Sequence, residues 1–116
     1  DAAMFMPFFD WGQPTVECLL EVCGACPRQM VIASGGVRHG LDSAKAIWLG
    51  AKMVSAAGPM LSHLSTENAI LNSAKLHDFI NGWKQQLALT LFLTGASDLE
   101  AFRRVKARFD GVVTTC

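Results

Sequence analysis

The sequence predicts an α/β chain built on a parallel strand–helix–strand unit, and predicts that this unit is a piece of a larger sheet. Two apolar runs, Met30–Ala33 and Met53–Ala56, each stop at a turn of small residues, with a helix-spaced segment between them. Strand, crossover helix and strand within about thirty residues make a right-handed unit with parallel strands. Two strands alone do not form a stable sheet, and a parallel pair belongs in a larger sheet covered on both faces. The 116 residues are 51% apolar and only 17% charged, with a mean hydropathy of +0.29. That surplus is high for a chain whose small size leaves much of its surface exposed.

Taken in order, residues 1–13 form an approach rich in Phe and Trp (Phe5, Phe8, Phe9, Trp11), expected as a loop whose rings pack on a core. A helix is expected from Pro14, because proline suits the first helical position. Leu19, Leu20, Val22 and Cys23 give it one apolar side, and Gly24 to Pro27 stop it. After strand 30–33 and a glycine turn, a helix runs from about Leu41 to Leu49. Leu41, Ala44, Ile47 and Trp48 share one face, Asp42 sits in the first turn, and Gly50 is the stop. Strand 53–56 follows, then a short helical piece from Met60 to Leu64. Ser65 is expected to cap a long helix with Glu67 in its first turn, an apolar stripe of Leu76, Ile80, Trp83, Leu87 and Leu91, and an end at Gly95. Ser97-Asp98-Leu99-Glu100 reads as a capping box for a last helix. Leu99, Phe102, Val105 and Phe109 would face inward there, and Arg103, Arg104, Lys106 and Arg108 would form a solvated outer face. The tail 110–116 carries no signal.

Composition excludes several classes. Ten basic and ten acidic residues cancel, so a broad basic field for nucleic acid is absent. No apolar run approaches the ~20 residues of a membrane span. The first residues lack the positive region of a secretory signal, and the start at Asp1 fits a fragment or a processed product. Cys18, Cys23, Cys26 and Cys116 do not form a secreted disulfide framework. Cys23 and Cys26 have redox or zinc spacing. A zinc site needs about four ligands, and no second such pair accompanies this one, so these thiols are expected to be incidental. No carboxylate pair, nucleophile–base pair or metal cluster is visible, so no catalytic residue and no metal ligand is assigned.

The chemistry lies in the two turns. Gly35, Gly36 and Gly40 permit positive φ and close approach of a ligand to the backbone. In (β/α)8 barrels a phosphate often sits on the loops after the last two strands, beside a short extra helix. This chain supplies both loops and, from Pro59-Met60, the extra helix. Gly36, Val37, Ala57 and Gly58 would offer N–H donors and Arg38 a charge. Ser34 and His39 lie beside them, whereas His63 and His77 read as surface or core histidines. On its residues alone the chain is a phosphate-binding half-site.

The run Val31-Ile32-Ala33-Ser34-Gly35-Gly36-Val37-Arg38-His39-Gly40-Leu41-Asp42-Ser43-Ala44-Lys45-Ala46, followed by Leu49-Gly50-Ala51 and Ala57-Gly58-Pro59, resembles the C-terminal end of flavin mononucleotide (FMN) barrels. Within these it is most similar to the type 2 isopentenyl-diphosphate delta-isomerase family. Phe9-Asp10-Trp11-Gly12-Gln13-Pro14-Thr15 resembles that family's D-W-G-x-P-T stretch, Ala57-Gly58-Pro59 its A-G-P, and Phe92–Ala96 with Leu99 and Glu100 the segment after its last barrel helix. The similarity covers roughly residues 8–102.

The resemblance implies the C-terminal part of a TIM (β/α)8 barrel, about strands seven and eight with their helices, as a single incomplete domain over 1–116. It implies FMN phosphate contacts at Gly36, Val37, Arg38, Ala57 and Gly58, with Gly35 shaping the turn. The activity implied is interconversion of isopentenyl and dimethylallyl diphosphate in isoprenoid biosynthesis, with FMN, Mg2+ and NADPH, in a cytoplasmic enzyme that is a homo-oligomer when complete. The family's catalytic and metal-binding side chains lie on earlier strands, so the isolated chain is expected to be inactive. The Cys23 and Cys26 pair and His39 have no place in the family pattern. Alpha-hydroxy-acid oxidases share much of the glycine pattern but carry G-R-P in place of Ala57-Gly58-Pro59, and form the alternative. A non-catalytic phosphate-binding half-barrel is the alternative outside enzymes.

Overall fold

The structure, a computed structural model, describes residues 2–64 and 69–107. The elements run α1 (Ala2–Phe5), a 3-10 turn (Met6–Phe8), α2 (Thr15–Ala25), β1 (Ile32–Ala33), α3 (Gly40–Trp48), β2 (Met53–Val54), α4 (Gly58–Leu61), α5 (Ala69–Leu93) and α6 (Leu99–Arg103). The expected cap at Ser65 with Glu67, and Arg108, Phe109 and the tail, lie outside the described residues.

β1 and β2 pair in parallel, Ile32 opposite Met53 and Ala33 opposite Val54. Two further bonds extend the pairing, Lys52 N–H to Val31 O and Ser55 N–H to Ala33 O, each 2.8 Å. The crossover helix α3 ends where glycine was expected to stop it. Gly50 takes a φ of 121°, its N–H reaches Ile47 O, and the Ala51 N–H reaches Ala46 O, which satisfies two end carbonyls. The same geometry ends α5 at Gly95 (φ 71°), through Gly95 N–H to Phe92 O and Ala96 N–H to Leu91 O.

Among the described residues, the packing lies on one face of the strand pair. Ala33 is buried with Leu19, Ala46 and Ala51, and Val31, Val54, Cys23 and Leu49 lean against them. A second cluster joins Ala44 and Ile47 of α3 to Phe102 of α6, with Leu87 and Leu91 of α5 beside it. Alternate side chains of a strand point to opposite faces, and among the described residues nothing covers the other face fully. Met30, Ile32 and Met53 are 67%, 52% and 54% exposed. The cores are thin: alanines dominate them, and no large side chain is completely buried among the described residues. The accessible surface is 9070 Å², whereas a self-contained 12.5 kDa monomer exposes about 6,200 Å². The radius of gyration, 16.8 Å, likewise exceeds the ~13 Å of a globular chain of this length.

Several local expectations change. α2 continues through Cys23 and Gly24 to Ala25, and Pro14 is its N-cap rather than its first residue. α4 starts at Gly58, two residues before Met60. The α6 cap is Asp98, whose carboxylate accepts the Ala101 N–H at 2.8 Å, while the Ser97 hydroxyl donates to Asp98. Arg103, expected in solvent, donates from Nη1 to Ile47 O (3.3 Å) at the C-terminal end of α3, where exposed carbonyls attract a cation. The ring-bearing residues of the approach stay outside any core. Phe8 and Trp11 touch only at a 6.1 Å centroid spacing, and Phe5, Phe8, Phe9 and Trp11 are all exposed.

Candidate functional site

The two glycine turns leave adjacent strand ends on the same edge of the molecule. The first runs from Ser34 through Gly35 and Gly36 to Val37 and His39, and the second from Ser55 to Gly58. Gly35 and Gly36 have φ values of 92° and 70°, which a Cβ would strain. Thr15, at the start of α2, donates its hydroxyl to Gly35 O at 2.8 Å and so ties the turn to the preceding helix. Val37 is buried, which anchors the turn by its side chain. Open space surrounds the position a Cβ would take at Gly36 and at Gly58. Among the described residues, no hydrogen bond is donated by the backbone N–H of Gly36, Val37, Ala57 or Gly58. Unmade donors beside empty space suit an anion, because N–H groups with no protein acceptor lose nothing by turning to a phosphoryl oxygen.

Gly40 departs from the sequence reading. Its φ is not positive, and its missing side chain makes room for α5 rather than for a ligand. A Cβ there would run into the Trp83 carbonyl oxygen and lie 2.7 Å from Gln86 Cβ and 3.0 Å from the Leu87 nitrogen. The Gly40 N–H donates to Gln86 Oε1 at 2.7 Å. Trp83 Nε1 donates to Ser43 Oγ at 2.6 Å, so two residues of α5 hold the start of α3.

Arg38 and His39 are engaged with α3. The Asp42 Oδ2 accepts from the Arg38 N–H (3.1 Å) and from Arg38 Nε (3.2 Å). His39 is the N-cap: its Nδ1 accepts the Asp42 N–H at 3.2 Å. Partial burial pushes the Asp42 carboxyl upward, but the hydrogen bonds from Arg38, with its charge, outweigh it and hold the group below its ordinary value. Sequence reasoning placed His39 beside the turn without its capping role. The signal for that role was Asp42 three residues on, in the first turn.

Cavities flank the strands among the described residues. One of about 260 Å³ lies between α2 and β1, lined by Gln13, Thr15, Cys18, Val22, Ile32 and Ser34 among others. Another, about 150 Å³, lies behind β2 between Ala56, Met60, Ile80 and Trp83. Neither is lined by the turn glycines. Burial pushes the Cys23 thiol up, against a smaller opposing effect of Arg103, which is the opposite of what a reactive thiolate needs. No group of three or more His, Cys, Asp or Glu side chains that could hold a metal occurs among the described residues. None of the described helices is long and apolar enough to cross a membrane.

A sequence model of the FMN-dependent dehydrogenase family matches residues 8–108, and the chain belongs to that family. Within the match lie both glycine turns and every helix that holds them. Curated relatives narrow the comparison. The isopentenyl-diphosphate delta-isomerase of Xanthobacter autotrophicus is 44% identical over 104 residues, which is 89% of this chain and 29% of that protein. The proteins of the same name from Stutzerimonas stutzeri and Metallosphaera sedula are 39% and 36% identical, over 85% and 90% of this chain and 27% of each relative. The chain thus spans less than a third of the length of these relatives.

Proposed function

We propose that residues 1–116 are the C-terminal part of an FMN-dependent (β/α)8 barrel that interconverts isopentenyl and dimethylallyl diphosphate. In this reading β1 and β2 are the seventh and eighth strands, and the chain supplies the end that binds the FMN phosphate. The observation that carries it is the pair of open glycine turns on adjacent parallel strands, with four backbone donors unengaged. The names of the relatives supply the reaction. The exposed face at Met30, Ile32 and Met53 supports the barrel, because a barrel's inner face is filled by side chains from the other strands.

Gly36 and Val37 of one turn and Ala57 and Gly58 of the other would hold the phosphate by backbone donation. Gly35 shapes the first turn, with Thr15 bracing its carbonyl. Arg38 adds a permanent positive charge. Bound there, the flavin would supply the proton-handling ring system at the alkene. These residues would fix its position and leave the chemistry to side chains on strands this chain lacks. The same reading brings Mg2+ and NADPH as companions of the flavin, and a cytoplasmic homo-oligomer for the complete enzyme.

The test uses the complete gene product, reduced FMN, Mg2+ and isopentenyl diphosphate, with dimethylallyl diphosphate as the measured product. Turnover supports the proposal. Oxidation of a 2-hydroxy acid without isomerisation would instead assign the chain to the oxidase branch, and flavin binding without either activity would leave only the phosphate-binding half-barrel.

A further inference from the structure

Asp42 is tied to the turn in a way that an ordinary surface ion pair is not. An exposed pair spaced i, i+4 on a helix joins two flexible side chains and counts for little. Here one carboxylate oxygen takes both the backbone N–H of Arg38, which lies before the helix, and its Nε. The Asp42 side chain is only 17% exposed, against 73% for Arg38. The Asp42 N–H in turn goes to His39 Nδ1, and His39 Nε2 lies 3.6 Å from Oδ2. These four contacts tie Arg38, His39 and Asp42 together directly after Gly36 and Val37.

Fixing the Arg38 N–H fixes the peptide plane that follows Val37, and so restrains the end of the turn that carries the Gly36 and Val37 donors. Holding the guanidinium by Nε alone leaves both of its amino groups without a hydrogen bond among the described residues. A guanidinium is a planar fork suited to two phosphoryl oxygens. A tethered fork gives up less side-chain freedom on binding than a free one.

We propose that Asp42 is a positioning residue for phosphate recognition: its Oδ2 restrains the Gly36–Arg38 backbone and presents the Arg38 amino groups to a phosphate monoester. The inference rests on the cradle reading above. It concerns geometry rather than charge, since the negative charge of Asp42 by itself repels a phosphate.

The test compares FMN with riboflavin, which lacks the phosphate, by flavin fluorescence quenching in the complete protein. The native protein is expected to prefer FMN. Asp42→Ala is expected to cut the FMN-to-riboflavin affinity ratio about tenfold or more, the scale of one charged hydrogen bond, with riboflavin binding unchanged. Asp42→Asn keeps an acceptor oxygen and is expected to hold the ratio within about threefold of native. In an Arg38→Ala background, Asp42→Ala is expected to add little further loss. If the alanine variant does not fold, Asp42→Glu moves the acceptor and is expected to lower the ratio likewise.

Parallel weakening of both flavins, an Asn variant as poor as Ala, or additive losses in the double variant would overturn the positioning role while leaving the cradle intact. A native protein with no preference for FMN over riboflavin would overturn the cradle itself.

Discussion

Gly40→Ala tests how the site is held. The new methyl group would meet backbone atoms of α5: the Trp83 carbonyl oxygen, and the Leu87 nitrogen at 3.0 Å. Backbone in the middle of a 25-residue helix cannot step aside as a flexible side chain would. Overpacking typically costs about 1–3 kcal/mol, and this contact belongs at the upper end, with the Gly40 N–H to Gln86 bond (2.7 Å) weakened as α3 moves out. Alanine's better helix propensity returns at most about 1 kcal/mol. The net expectation is a loss of about 2–3 kcal/mol, read as a lower urea midpoint with an unchanged slope. The same displacement moves His39 and Arg38 with the start of α3, so flavin affinity should fall with it. Gly58→Ala is the control. It has open space and no positive φ, and should shift stability by less than about 0.5 kcal/mol. A Gly40→Ala protein as stable as native would refute the close α3–α5 crossing.

Gly36→Val places a branched side chain at a φ of 70° and in the space of the proposed anion. It should abolish saturable FMN binding while riboflavin binding, measured by the same titration, is less affected. Trp48→Phe removes the Nε1 donor to Val105 O (2.7 Å) and should cost about 1–2 kcal/mol in urea unfolding. Asp98 is held below its ordinary carboxylate value by the Ala101 N–H and the Ser97 hydroxyl. A depressed folded value means its contribution is present above the unfolded value of about 4 and is lost as pH falls through the folded one. Asp98→Asn should remove that part of the acid dependence of unfolding, and an unchanged pH profile would contradict the cap.

Much of the frame was legible because it rests on local rules. The spacing of Ala44 and Ile47, the glycine stops at Gly50 and Gly95, and the two apolar runs each depend on a few neighbouring residues. The parallel pairing followed from the crossover between the runs. What was missed depends on distant partners. Gly40 lies in a glycine-rich run that reads as ligand-binding, yet its use is set by α5 more than forty residues later. Arg103 reads as solvated until the end of α3 is seen beneath it. The capping-box spacing from Ser97 to Glu100 is satisfied on paper. One residue on, Asp98 offers a charged acceptor and takes the helix start. The rings of residues 5–11 were expected to find a core that these residues do not contain. Within the candidate site, the turn glycines and Arg38 were visible in sequence. The bracing by Thr15 and the contacts of Asp42 with Arg38 and His39 were not, since both depend on the direction of side chains across a turn.

The central claim is that the two glycine turns together hold the FMN phosphate. Backbone amide NMR of the complete protein, titrated with FMN, tests it most directly. The account predicts that the N–H signals of Gly36, Val37, Ala57 and Gly58 shift together and saturate at one affinity, with much smaller shifts on riboflavin. FMN binding that leaves those four signals in place, and moves residues of the two flanking cavities instead, would contradict it.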